Sequence, residues 1–271
     1  MTLLARNEED VIREHILYHL SQGVDFIIAT DNLSTDSTTE TLHEFEKMGV
    51  LHYIYQGEDT HNQSEWVTHM ARMATTRFKA DWVINSDADE FWWPVHGNLK
   101  SIISLIPTTY NVLQVDRFNF LPSEINIQPF YKRMVLREIR SKNCFGKPLA
   151  PKILHRGSDS VKISNGNHFA KFNQPVNQLK TNEIEIFHYP IRSWAQFESK
   201  IVTGARALNR NKSLNKGVGS TWRHLYELHM KGVLNDYYKT LVVENDSKTI
   251  NNLQNNYQID LRLLNYLQNM L

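Results

Sequence analysis

Cysteine is almost absent from this chain: Cys144 is the only one in 271 residues. An internal disulfide is therefore excluded, and a reducing compartment is expected. Long apolar runs are missing too. No stretch approaches the ~20 apolar residues that a bilayer-spanning helix needs, and no basic segment leads into an apolar one at the N-terminus, as a signal peptide would require. The chain reads as cytoplasmic, with at most a peripheral contact to membranes. Glycine is scarce where phosphate loops need it. None occurs in Arg6-Asn7-Glu8-Glu9, and there is no Gly-x-x-x-x-Gly-Lys, which excludes a P-loop kinase and counts against a sugar nucleotidyltransferase. Excess charge is missing as well. The formal net charge is +1, and the basic residues do not interleave with aromatics, so nucleic acid is not an expected partner. No internal repeat or low-complexity tract is present, and the Asn-rich piece Asn251 to Asn256 reads as a junction between helices.

What charge there is, is unevenly placed. Asn7 to Glu65 holds thirteen acidic residues against Arg13 and Lys47, while Lys132 to Lys162 holds nine basic residues against Glu138 and Asp159. A basic stretch of that kind is either a positive wall for an anionic ligand or a solvated face.

The first half alternates short apolar runs with amphipathic stretches. Met1 to Ala5 reads as a strand cut close, whose natural start is expected a residue or two earlier. Val11 to Gln22 has helical spacing, and Phe26 to Ala29 is a continuous apolar run suited to a strand buried on both faces. Thr38 to Met48 is helical, Val50 to Tyr55 a strand, Gln63 to Lys79 a helix, and Trp82 to Ile84 the start of a fourth strand. This β-α-β-α-β-α-β order predicts an α/β fold with a mostly parallel central sheet flanked by helices. Farther on, Val112 to Phe120, Lys152 to His155, Val161 to Ser164 and Ile184 to His188 read as strands. Ser193 to Asn209 reads as a helix capped by Ser193. From Thr221 onward the chain is helical in character, and Tyr257 to Leu271 carries Leu261, Leu264 and Leu267 at helical spacing. The expected organisation is one domain over residues 1–212, with halves 1–95 and 96–212, and a helical extension over 213–271.

Ligands of open parallel sheets sit at the carboxyl ends of the strands, and the polar clusters fall there: Arg6-Asn7-Glu8-Glu9, Asp31-Asn32 and Asp87-Ala88-Asp89-Glu90. Carboxylates one residue apart on a strand-end turn are hard oxygen donors suited to Mg²⁺ or Mn²⁺, ions that keep positions open for phosphate oxygens. Phe91-Trp92-Trp93 would anchor that turn. Asp36 is explained as a helix cap. Asp31 is not, and a carboxylate at that strand end can accept a hydrogen bond from a base N–H.

Taken together, three stretches resemble the family 2-like glycosyltransferases of the GT-A fold. They are Leu3-Leu4-Ala5-Arg6-Asn7-Glu8-Glu9, then Asp31-Asn32-Leu33-Ser34-Thr35-Asp36-Ser37-Thr38, then Ala80-Asp81-Trp82-Val83 leading to Asp87-Ala88-Asp89-Glu90-Phe91. The closer likeness is to the branch with an Asp-Ala-Asp-Glu-Phe metal motif. It covers residues 2–95, and continues more loosely through Pro151-Lys152-Ile153-Leu154-His155-Arg156, Gly166-Asn167-His168 and His188-Tyr189-Pro190 to Lys200. The resemblance implies a GT-A nucleotide-diphospho-sugar transferase. Such an enzyme would be inverting and Mn²⁺- or Mg²⁺-dependent, moving a sugar from a nucleotide-sugar donor, a UDP-sugar first, to a glycan or lipid-linked acceptor. It implies that Ala5, Arg6 and Glu8 line the nucleotide pocket and Asp31 meets the base. Asp87 and Asp89 would hold the ribose or the metal–diphosphate, with Asp89 the direct ligand. A histidine from the later half would join the metal: His188 matches best, and His168 is the alternative.

The chain departs from the family in lacking a paired acid in its acceptor half. An inverting transfer needs a carboxylate beside the acceptor hydroxyl, and Asp116, then Glu124, are the candidates. Each is equally readable as half of a structural ion pair. Arg192, at a helix start where anions are favoured, and Lys152 are the candidates for the diphosphate. The competing reading is a non-catalytic nucleotide- or carbohydrate-binding protein, which would not need Asp31 and Asp89 together.

Overall fold

A computed structural model describes residues 1–123, 129–215, 217–243 and 256–270. Glu124 and most of the Asn251 to Asn256 piece lie outside the described residues. The chain forms two compact units, one of Met1–Arg117 with Ala150–Ile186, the other of Phe118–Leu149 with Phe187–Leu271.

The first unit is built on β1 (Thr2–Ala5), α1 (Ile12–Ser21), β2 (Ile27–Asp31), α2 (Thr38–Lys47), β3 (Leu51–Tyr55), α3 (Gln63–Thr76), β4 (Trp82–Asp87), β5 (Glu90–Pro94), α4 (Leu99–Ser104) and β6 (Val112–Val115). A seven-stranded sheet runs β12-β6-β9-β4-β1-β2-β3, with β9 (Lys152–Arg156) and β12 (Gln178–Lys180) entering from later in the chain. Strands β4, β1, β2 and β3 are mutually parallel, and β12 is parallel to β6. Only β9 runs against its neighbours β4 and β6. The expected mostly parallel sheet is present. Every residue of β2 is buried, as its unbroken apolar run requires of a strand covered on both faces.

The helix α3 shows why the layers hold. Val67, Met70, Ala71 and Ala74 recur at i, i+3, i+4 and i+7 and are all buried, packed in one cluster with Ile28, Val83 and Ile153 of the sheet. Burying a side chain such as Val67 or Met70 stabilises by roughly 1.5–3 kcal/mol. The helix stops at Thr76, short of the expected Lys79, because Lys79 takes a left-handed φ of 56°.

The second unit holds β8 (Leu136–Glu138) paired antiparallel with β14 (Tyr257–Ile259), the short helix α5 (Phe130–Arg133), and the helices α6 (Trp194–Arg210), α7 (Ser220–Met230), α8 (Leu234–Leu241) and α9 (Arg262–Met270). Ser193 caps α6 as expected, its hydroxyl accepting from the Gln196 N–H at 3.1 Å. Phe197, Ile201, Leu225, Leu234 and Tyr238 form one core among α6, α7 and α8. Gly204 lets α6 and α7 touch: a Cβ there would stand 1.3 Å from the Trp222 ring.

Two expectations differ from what is seen. Val112 to Phe120 is not one strand but two, β6 and β7 (Arg117–Asn119), broken at Asp116. Tyr257 to Ile259 is a strand rather than the start of a helix. Asp260 ends it, accepting from the Arg262 N–H at 3.2 Å, and α9 then buries Leu263 and Leu267 while Leu261 stays exposed.

Candidate functional site

Register brings the expected residues to one edge. Ala5 of β1 stands beside Asp31 of β2, and Leu4 beside Asp87 of β4. With strands about 4.8 Å apart, Asp31 and Asp87 flank the end of β1 roughly 10 Å from each other. The loops that follow are stapled together. Asn7, with a φ of 54°, donates its N–H to the Ser34 hydroxyl, and its amide oxygen accepts from the Thr35 N–H at 2.7 Å. Asn tolerates that left-handed backbone. Leu33, with a φ of 60°, does not do so readily, and its strain sits directly behind Asp31.

Asp31 is buried, 1% exposed. Its carboxylate accepts from the Ser34 N–H at 3.0 Å, the Thr39 hydroxyl at 2.5 Å and the Tyr53 hydroxyl at 3.3 Å. Burial first, then the neighbouring Asp31 charge, pushes the Tyr53 hydroxyl up to about 12. Arg6 pairs with Asp59 at 2.7 Å. Glu8 is buried and donates its N–H to the Thr38 hydroxyl. Asp36 accepts from the Thr38 N–H at 3.0 Å, in keeping with its role at the helix start.

The acidic turn is held from several sides. Asp87 Oδ2 lies 2.6 Å from Lys152 Nζ, and Lys152 reaches Glu90 Oε1 at 2.9 Å. Arg117 adds a contact to the same Glu90 oxygen at 3.4 Å. Asp87 Oδ1 accepts from the side-chain amides of Gln63 and Asn167, both at 3.3 Å. Burial pushes the Glu90 carboxyl up, and Lys152 opposes that shift. Behind the turn, Phe91 and Trp92 are fully buried, so the aromatic run anchors it as the sequence reading required. His15 Nε2 lies 3.1 Å from the Ser86 hydroxyl, and the Trp92 indole N–H donates to the same oxygen at 3.2 Å. His19 Nε2 accepts from the Trp92 backbone N–H at 3.2 Å. Burial lowers His15 to about 3, against the pull of Asp89, so the ring is neutral at ordinary pH.

Other candidates fall as follows. His168 lies beside Asn167, and its Nδ1–H donates to the Pro151 carbonyl at 2.7 Å, which leaves Nε2 as the lone-pair nitrogen. Burial first, then Lys152, lowers it to about 4. His188 belongs to the other unit along the chain, where its Nδ1 bonds the Asn119 amide oxygen at 2.8 Å. Asp116 pairs with Lys180 at 2.7 Å, both side chains largely exposed.

Both diphosphate candidates are held by protein groups. Arg192 is 0% exposed and donates to the Tyr189 carbonyl at 3.1 Å, and Lys152 is spent on Asp87 and Glu90. Nor is the basic stretch a single wall. Arg133, Arg137 and Lys152 are buried, Arg156 stacks on Trp82 at 4.5 Å, and the stretch is split between the two units.

Gln63, Arg117, His15 and His19 were not singled out from sequence. His15 and His19 stand one helical turn apart on α1, which is the one signal they carry. Among the described residues, no three His, Cys, Asp or Glu side chains are gathered to hold a metal ion. The donors that suit a hard cation are the carboxylates of Asp87 and Asp89, with the buried, unpartnered Oδ1 of Asn167 beside Asp87. Such a set suits an ion that completes its shell with phosphate oxygens and water. No described helix is long and apolar enough to cross a membrane.

No curated protein matches the chain. Among solved structures, S. aureus TarS 1–349 is similar at 13% identity and a TM-score of 0.43, over 99% of this chain and 86% of that one. Its complexes with UDP and with UDP-GlcNAc match with the same figures, again 13%, 0.43, 99% and 86%. The profile of glycosyltransferase family 92 covers residues 1–217, taking in every strand-end cluster described above. The chain thus belongs to glycosyltransferase family 92.

Proposed function

We propose that this glycosyltransferase is a GT-A enzyme of the family 2-like kind with an Asp-Ala-Asp-Glu-Phe metal motif. In this reading it takes a nucleotide-sugar donor, a UDP-sugar first, at the joined ends of β1, β2 and β4, and passes the sugar with inversion to a glycan or lipid-linked acceptor. The observation that carries the reading is the register that sets Ala5 beside Asp31 and Leu4 beside Asp87. That edge has a carboxylate on each side of the β1 end.

In this account Asp31 receives a base N–H. A carboxylate offers about four acceptor positions, and the Tyr53 contact, the longest at 3.3 Å, is the one a base would replace. Ala5, Arg6 and Glu8 line the pocket. Asp87, fixed by Lys152, faces the ribose, and Asp89 is the ligand for Mn²⁺ or Mg²⁺, with His188 as the histidine partner and His168 as the alternative. A divalent ion there offsets the charge that develops on the leaving diphosphate. Asp116 is the base, since it is the one of the two candidates that lies among the described residues, where it pairs with Lys180. The enzyme works in the cytoplasm, at most peripherally on a membrane.

The test is nucleotide binding by calorimetry. The account expects UDP to bind more tightly with Mn²⁺ than in EDTA, and Asp31→Ala to weaken that binding. Affinity unchanged by Asp31→Ala for UDP, GDP and their relatives alike would remove the base assignment.

A further inference from the structure

Lys152 carries the next step. It is 1% exposed, and its ammonium lies 2.6 Å from Asp87 Oδ2 and 2.9 Å from Glu90 Oε1. The Lys152 side chain leaves β9, where Lys152 stands opposite Val115 of β6 in the sheet, so its base is fixed by the strand ladder rather than by a loop. Glu90 is fully buried, and its other cation, Arg117, is farther away at 3.4 Å. A buried carboxylate without a cation is costly, and two adjacent ones are more so. The turn that bears Asp89 therefore has an internal counter-charge.

We propose that Lys152 is a positioning residue that locks the acidic turn in shape before any metal or nucleotide arrives. The ammonium bridges Asp87 and Glu90 and offsets part of their combined charge. Asp87 is then oriented by Lys152, Gln63 and Asn167 together. Without Lys152 the two carboxylate oxygens would face a vacated position at hydrogen-bond distance from both. Hard oxygen donors in that arrangement recruit a divalent ion. The shape of the turn would then depend on metal. The inference rests on the proposed donor site, because only there does a preformed turn have a use.

The test compares melting temperatures of wild type and Lys152→Ala in EDTA, in Mn²⁺ and in KCl of matched ionic strength, without nucleotide. Removing one partner of a buried pair should lower the variant's melting point by on the order of 10 °C in EDTA. Mn²⁺ should then raise the variant by several degrees more than it raises wild type, and KCl should not. If Lys152→Ala does not fold, Lys152→Ala with Glu90→Gln removes one buried charge along with the cation. The double variant should fold and still gain more from Mn²⁺ than wild type does. Equal Mn²⁺ shifts in variant and wild type, or equal melting points in EDTA, would overturn the lock. UDP binding to wild type is a separate measurement, so failure of the donor reading is distinguishable from failure of the lock.

Discussion

The side-chain amide of Asn167 donates to the Asp87 carboxylate at 3.3 Å, across 80 residues of chain. Asn167 holds a left-handed φ of 59°, which its short polar side chain tolerates and a larger one would not. The loop Gly166-Asn167-His168 is thereby tied to the strand-end turn, and Gln63 completes the tie by accepting from the Gly166 N–H at 2.9 Å.

That tie leads to a two-variant prediction. Asn167→Gly keeps the backbone and removes the amide. It should weaken UDP binding by about fivefold, the loss of about 1 kcal/mol that a typical hydrogen bond contributes, since this one is long at 3.3 Å. Asn167→Ala removes the amide and also strains the backbone by roughly 1–2 kcal/mol, so it should lose melting temperature as well as affinity. Calorimetric titration with UDP and a thermal melt of each variant separate the two effects. Equal UDP affinity in wild type and Asn167→Gly would show that Asp87 does not need this donor.

Two histidines compete for the metal, and Mn²⁺ titration distinguishes them. In the proposed reading His188→Ala lowers Mn²⁺ affinity and activity together, with activity partly restored by excess Mn²⁺, and His168→Ala does less. The reverse order would assign the role to His168. Silence from both would leave the metal to carboxylates, nucleotide and water.

A third prediction concerns acid. His155 is fully buried, and burial lowers it to about 4 against a bond to the Arg156 carbonyl that raises it. The unfolded chain takes up a proton near pH 6.5 while the folded chain does not. The His155 contribution is therefore complete above about pH 6.5 and is lost as pH falls toward about 4, by on the order of 3 kcal/mol. His15, lowered to about 3, and His168, lowered to about 4, act with the same sign. Urea melts from pH 7 to pH 4 should show stability falling in wild type and falling less steeply in His155→Leu. Parallel slopes would mean that His155 takes up its proton without unfolding.

Much of this was legible from local patterns. The parallel half of the sheet followed from apolar runs alternating with helical spacing, and the polar clusters at its strand ends include Asp31 and Asp87, which the register sets on either side of β1. Ser193 was legible as a cap because capping is a one-turn interaction. Partnerships between distant segments were not. Lys152 read as a candidate for the diphosphate, because nothing nearby in sequence reveals that Asp87, 65 residues away, is its partner. Arg192 read as a helix-start residue suited to an anion, and its complete burial was not legible for the same reason. Tyr257 to Ile259 read as helix because Leu261, Leu264 and Leu267 follow at helical spacing, and only pairing with Leu136 to Glu138 makes it a strand.

The central claim is that the turn bearing Asp89 serves transfer from a nucleotide sugar. The most direct measurement incubates wild type and Asp89→Ala with a panel of nucleotide sugars in Mn²⁺ and follows release of the nucleoside diphosphate. The account predicts release from one donor, a UDP-sugar first, by wild type. Asp89→Ala should melt like wild type and release at least about a hundredfold less, since loss of charge stabilisation at the leaving group costs several kcal/mol. Normal turnover by Asp89→Ala would contradict it.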